Sequence, residues 1–398
     1  MIAFTFPGQG SQKPGMGEPW VDHPSWEIVG EASEAADRDI ADLLLHADAD
    51  TLKETRNSQI ATFVLSMVML EAVSRIGVEA TGFAGHSLGE YSALTAAGTL
   101  ELNDAVSLVV ERGNAMQAAA DEQSGTMSAI LGLDDDKVES ACVRVSGDVW
   151  VANYNAPGQV VIAGDPDAIA EASAIAKELG AKRAMPLPVG GAFHTPFMAP
   201  ARDRLSKALD QIEFRAPGNV VYANVDASGY LDARHWAGLL NSQLCSPVRW
   251  RQTLHAMDDA GFATFVEIGP GTILTGTTKR TLADSRRLKV NAPGDLDTLI
   301  EALAIPQSGS VVHHEGELLF ATERLVVTPC AGVFIPVDDT PVGSTISTGR
   351  VLGHIGEQEV CSAFGGELMG YLAVTDERVT ARQPVAWLRT TDNGGFAL

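Results

Sequence analysis

The spacing of apolar residues changes character three times along the chain. Ile2–Phe6 (IAFTF) is a short apolar run before a Gly-rich turn and predicts a buried strand. Ser58–Ile76 (SQIATFVLSMVMLEAVSRI) is apolar nearly all round, which predicts a helix packed within a core. TGFAGHS then reads as a strand running into Gly, and LGEYSALTAAG opens a helix. Strand and helix signals in alternation predict an α/β layer with a parallel sheet. From 125 to 190 the order becomes βαββαβ, the ferredoxin-like pattern, which reads as a subdomain inserted into the larger one. The α/β rhythm resumes from Gly191, with FVEIGP as a strand, so the α/β part spans 1–124 and 191–305. Residues 306–325 are rich in Ser, Gly and Pro at their start (PQSGS) and are expected to be a linker. Past that point helical periodicity is lost. Thr328–Ile355 and Ser362–Leu388 look like two copies of one pattern of short strands and Gly turns, predicting a small all-β domain over 326–398.

Composition narrows the function classes. The 398 residues are 45% hydrophobic and 20% charged, which is ordinary for globular domains. Lys and Arg number 28 against 51 Asp and Glu, a net charge of -23. Phosphate binding depends on clustered positive charge, so no nucleic-acid or anionic-membrane partner is expected. Cys142, Cys245, Cys330 and Cys361 show neither CxxC nor Cys/His ligand spacing, so no metal site is expected. The N-terminus lacks the charged and long apolar regions of a signal peptide, and no apolar run approaches the ~20 residues that span a bilayer. The expected location is cytoplasmic.

Three short stretches carry candidate chemistry. Gly85-His86-Ser87-Leu88-Gly89 is G-x-S-x-G between a predicted strand and helix, a sharp turn that pushes the Ser hydroxyl into the open. A Ser hydroxyl is a weak nucleophile unless a base takes its proton. Of nine His, His194 stands out because it follows a predicted strand in a Gly-rich loop, VGGAFHTP; the residues alone leave open a base or a satisfied loop His. The turn Phe6-Pro7-Gly8-Gln9-Gly10 lacks the third spaced Gly of a dinucleotide fingerprint. Gly on both sides of Gln9 lets amides approach an oxyanion, or simply makes a tight turn. Arg112, after an apolar helical run, needs a partner: either a neighbouring acid such as Glu111 or a carboxylate on a substrate.

Taken together, FPGQGSQ, GHSLGEYSAL, ERG, NYNAPGQVVIAG, GAFHTPFM, QLCSPVRW and EIGPGTILTGTTKR fall in one order over Met1 to about Leu303. In that order they resemble the malonyl-CoA:acyl carrier protein transacylases and the acyltransferase domains of polyketide synthases. The resemblance implies an α/β-hydrolase-like domain with the inserted subdomain. It implies Ser87 as nucleophile, His194 as base, Gln9 and the Leu88 N–H as oxyanion hole, and the Gln243 backbone carbonyl as the group orienting His194. Arg112 would hold the free carboxylate of a malonyl group, and Asn155 matches a site position of less defined role. The Ala-Phe-His form at Phe193 resembles malonyl-selective members. The implied reaction moves malonyl from malonyl-CoA to the phosphopantetheine thiol of acyl carrier protein, with a Ser-His dyad and no resident cofactor. Lys182-Arg183, Arg249, Arg251 and Lys279-Arg280 are candidate positives for docking an acidic carrier. Alternatives are a thioesterase using the same Ser/His pair, transfer of another dicarboxylic acyl group in polyketide synthesis, or a scaffold.

Val326–Leu388 resembles biotinyl/lipoyl-type carrier domains, which bear their cofactor on a Lys at a hairpin tip. Here the tip reads Gly356-Glu357-Gln358-Glu359-Val360, and no Lys occurs after Lys289. Amide attachment of biotin or lipoate is therefore not expected, which leaves a protein-docking module or a structural cap.

Overall fold

A computed structural model describes residues 1–304, 323–337, 340–356, 358–362, 365–375, 377–380 and 383–389. The chain divides into two compact units, Met1–Pro306 and Gln307–Leu398. Most of the expected linker at 306–325, the tip residue Glu357 and the last residues from 390 fall outside the described residues.

The first unit is built on one sheet. Its strands are β1 (Ile2–Phe6), β2 (Gly82–Gly85), β7 (Val220–Tyr222), β8 (Gly229–Tyr230), β9 (Thr264–Ile268) and β10 (Arg286–Val290). They lie in the order β10-β9-β1-β2-β7-β8, parallel throughout except for β8. Strands covered on both faces are apolar throughout, which is why IAFTF and GFAG show no alternation. The expected core helix runs Thr55–Arg75 and is buried along most of its length, packed against the Leu102–Glu122 helix.

Residues 126–186 form the βαββαβ stretch: β3 (Thr126–Leu131), β4 (Val149–Ala156), β5 (Gln159–Gly164) and β6 (Arg183–Pro186), with helices Asp135–Val143 and Pro166–Glu178. Their antiparallel order is β4-β5-β3-β6. The second helix starts where Asp165 accepts from the Asp167 and Ala168 N–H groups, satisfying donors a helix start leaves orphaned. This sheet keeps its own core, including Ile130, Val138, Val160 and Ile162.

The second unit holds β11 (Glu323–Val327), β12 (Gly332–Pro336), β13 (Thr345–Ile346), β14 (Val351–Ile355), β15 (Gln358–Cys361), β16 (Gly366–Tyr371), β17 (Glu377–Val379) and β18 (Pro384–Arg389). One sheet runs β11-β18-β16-β13 and the other β15-β14-β12-β17. Exchanging each strand for the one four places along converts the first order into the second. The expected duplication is thus written into the topology as a two-fold relation with strands swapped between halves. Phe334, Leu352, Val360, Leu368 and Leu388 fill the core. Because β11 pairs with β18 from Glu323 onward, the β unit opens ahead of the expected boundary at 326. Among the described residues, no helix is long and apolar enough to cross a membrane.

Candidate active site

A cavity of about 510 Å³ opens at the carboxyl ends of β1 and β2, where ligands gather in parallel sheets. Its wall includes Gln9, Ser87, Leu88, Arg112, Phe193 and His194. Asn155 lines it too.

Ser87 stands between β2 and the Gly89–Ala96 helix with φ 53°, a left-handed conformation uncommon for a residue with a side chain. The flanking glycines make that turn possible. A Cβ on Gly85 would lie 1.8 Å from the Gly89 carbonyl oxygen, and one on Gly89 would lie 2.0 Å from the Phe6 carbonyl oxygen. Both obstacles are backbone and cannot swing aside. Gly85→Ala is therefore expected to lower stability by at least about 3 kcal/mol, beyond usual overpacking, read as a fall in the denaturant midpoint.

The elbow is pinned from a distance. Asn224 accepts from the Ser87 N–H at 2.7 Å and donates to the Gly85 carbonyl at 2.7 Å. The Leu88 N–H has no acceptor among the described residues, so it is open to a developing oxyanion.

His194 also has positive φ, 62°. Two left-handed residues at one cavity are backbone strain concentrated where side chains must be aimed. The Ser87 Oγ and His194 Nε2 are 2.8 Å apart, and His194 Nδ1 lies 2.8 Å from the Gln243 carbonyl. A carbonyl only accepts, so the neutral ring carries its proton on Nδ1 and turns the Nε2 lone pair to the Ser87 hydroxyl. Burial, then the Arg112 charge, lower the His194 pKa to about 3, which keeps the ring neutral as a base must be.

Arg112 is 1% exposed, and the acid next to it in sequence does not neutralise it. Glu111 pairs instead with Arg204. The guanidinium donates through Nη1 to Gln59 Oε1 at 2.6 Å and through Nη2 to Gln243 Oε1 at 2.9 Å and Ser87 Oγ at 3.1 Å. It lies 5.5 Å over the Tyr91 ring, and its Nε has no partner among the described residues. A buried cation held by neutral groups, with donors at the cavity, suits an anionic cargo.

The remaining expected residues have plain places. Phe193 is buried on the cavity wall. Asn155 Oδ1 is 2.8 Å from His86 Nε2, so these two hold each other. Gln243 acts through its side chain as well as its carbonyl, donating to the Ser87 carbonyl at 2.9 Å and to the Glu90 carboxylate. Sequence reasoning passed over Gln59, Glu90 and Asn224. A polar side chain at the start of a helix that is apolar nearly all round was the signal for Gln59, since a buried amide needs partners.

Of the candidate docking cations, Arg251 is taken by Asp135 and Arg249 by the Val225 carbonyl and the Tyr154 ring. Lys182, Arg183, Lys279 and Arg280 are exposed.

Residues 3–300 match the family described as the acyl transferase domain. The chain belongs to the acyl transferase family. It is 40% identical over 303 residues to the malonyl CoA-acyl carrier protein transacylase of Bacillus subtilis, covering 75% of this chain and 95% of the relative. To the transacylase of the same name from Escherichia coli K12 it is 40% identical over 305 residues, covering 75% and 99%. Among solved structures, an acyl carrier protein S-malonyltransferase from Vibrio cholerae superposes with TM-score 0.72 at 39% identity, over 75% of this chain and 99% of that one. A malonyl-transacylase in complex with its type II PKS acyl-carrier protein gives 0.73 at 38%, over 76% and 99%. The acyl transferase match ends short of the second unit.

Proposed function

We propose that the chain transfers a malonyl group from malonyl-CoA to the phosphopantetheine thiol of acyl carrier protein through a malonyl ester on Ser87. The observation that carries this reading is the convergence on one hydroxyl of a neutral imidazole at 2.8 Å and a buried guanidinium at 3.1 Å. The first supplies a base and the second a seat for a carboxylate. The names of the relatives agree with it.

In the first half-reaction Ser87 Oγ attacks the thioester carbonyl carbon while His194 Nε2 takes its proton. The carbonyl oxygen becomes an oxyanion facing the Leu88 N–H and Gln9; one such donor is worth ~3–4 kcal/mol. The C–S bond breaks, and the CoA sulfur leaves with the proton from His194. In the second half the carrier thiol gives its proton to His194 and attacks the ester, and Ser87 regains a proton as its C–O bond breaks. Thioester is exchanged for thioester, so splitting the reaction through an ester gives two similar steps. No resident cofactor enters this sequence, and a cytoplasmic location is proposed with it. Incubation with malonyl-CoA followed by intact-protein mass measurement is expected to show one added malonyl group; no gain in mass would sink the proposal. CoA release measured with and without carrier protein separates transfer from the thioesterase reading.

Phe193 bears on the α-carbon of the acyl group. A methyl branch crowded by its ring is expected to cost ~1–3 kcal/mol, so malonyl-CoA should turn over ~10–200-fold faster than methylmalonyl-CoA. Phe193→Ala should narrow that ratio in competition assays; equal rates in the parent protein would remove the role.

For the second unit we propose a biotinyl/lipoyl-like fold that carries no cofactor. Its two-fold strand exchange supports the fold, and the absence of Lys after Lys289 removes amide attachment.

A further inference from the structure

Gln243 is the node between the base and the guanidinium, and its side chain has a choice to make. A primary amide turned end over end keeps its shape, so only its partners fix which end is oxygen. Here they demand one answer. The Ser87 carbonyl and the Glu90 carboxylate both accept from Gln243 Nε2, while Arg112 can only donate and meets Oε1 at 2.9 Å. Turned over, the amide would set oxygen against two acceptors and its NH2 against a guanidinium.

We propose that Glu90 is a positioning residue: its carboxylate locks the Gln243 amide with oxygen toward Arg112, and so sets preference for acyl groups that bear a carboxylate. This rests on the malonyl-transfer reading. Glu90 is fully buried, and both of its oxygens are engaged as acceptors. Oε1 takes the Asn224 N–H at 3.1 Å and Oε2 takes Gln243. A carboxylate satisfies two donors; an amide of the same size would meet one of them with its own NH2. The effect should be selective. His194 is held by the Gln243 backbone carbonyl, which does not turn with the side chain, and the Asn224 contact behind the Ser87 elbow is common to both esters, so an uncharged acyl group should lose less than malonyl.

The test compares malonyl-CoA with acetyl-CoA as donors to carrier protein. In Glu90→Gln, kcat/KM for malonyl-CoA is expected to fall about 10–100-fold, mainly through KM, with acetyl-CoA changed by less than about threefold. Glu90→Asp keeps two acceptor oxygens and should retain more of the preference. Equal losses on both esters would mean a merely structural role and would overturn the proposal, as would an unchanged ratio.

If Glu90→Gln does not fold, the unaltered protein decides. Burial pushes the Glu90 pKa up to about 7, against the pull of the Asn224 and Gln243 donors and of Arg112. The charged or titratable groups facing it are Arg112, Tyr91 and Asp226. As pH falls through that value the carboxyl gains a proton and loses an acceptor, so the malonyl-to-acetyl ratio should drop between about pH 8 and pH 6. The CoA phosphates are common to both esters and cancel in the ratio. A ratio that stays flat over a range in which the Glu90 carboxyl is seen to titrate in the infrared spectrum overturns the proposal. A parent protein that takes up no malonyl group overturns the malonyl-transfer reading instead, and this proposal with it.

Discussion

Ser87→Ala is expected to lower acyl transfer by about ten-thousandfold or more and to abolish the acyl-enzyme in the mass spectrum. The substitution removes one oxygen and leaves the φ of 53° to a residue that tolerates it no better, so stability should change little. What disappears is the atom on which the imidazole and the guanidinium converge. His194→Ala should cost nearly as much, and the double variant little more than either, because a base without a nucleophile has nothing to do. The His194 pKa of about 3 adds a pH expectation. The base is already neutral at every pH above about 4, so loss of activity on mild acidification would have to come from another group. A Ser87→Ala protein that still gained the mass of a malonyl group would place the nucleophile elsewhere.

Arg112→Met is the second large effect. It keeps much of the buried volume and removes every donor. Losing one partner of a buried, charge-assisted pair typically costs ~2–5 kcal/mol, so kcat/KM for malonyl-CoA should fall by about 30–4,000-fold. Acetyl-CoA has no carboxylate to leave unpaired, and its rate should hold or rise, inverting the preference. Side-by-side kinetics with the two esters check this. A uniform loss on both would show that Arg112 serves the packing of Gln59 and Gln243 rather than the cargo.

Legibility in the sequence followed the range of the interaction. Ser87 was readable because Gly85 and Gly89 lie within two residues of it and solve a local clash. The βαββαβ stretch and the duplicated β unit were readable because strand and helix periods are local. His194 stood out among the nine His by its Gly-rich loop, but the residues alone left it a base or a satisfied loop His, since nothing within that loop records that Ser87, 107 residues away in sequence, lies at 2.8 Å. Of the partners open to Arg112 in the sequence, Glu111 is removed only by its pairing with Arg204 on another helix. Glu90 and Asn224 gave no sign of their role because each acts through a partner on another element.

By itself, then, the order of residues determined the turn that exposes a hydroxyl, the class of the two units, and the absence of any Lys to carry a cofactor in the second. Folding brought the His194 imidazole against that hydroxyl, and it decided which way the Gln243 amide faces and that a guanidinium is buried among neutral acceptors. The reason is one of range. Backbone sterics and side-chain periodicity act over a few residues, whereas a hydrogen bond is blind to sequence separation and forms wherever the packed sheet and helices bring donor to acceptor.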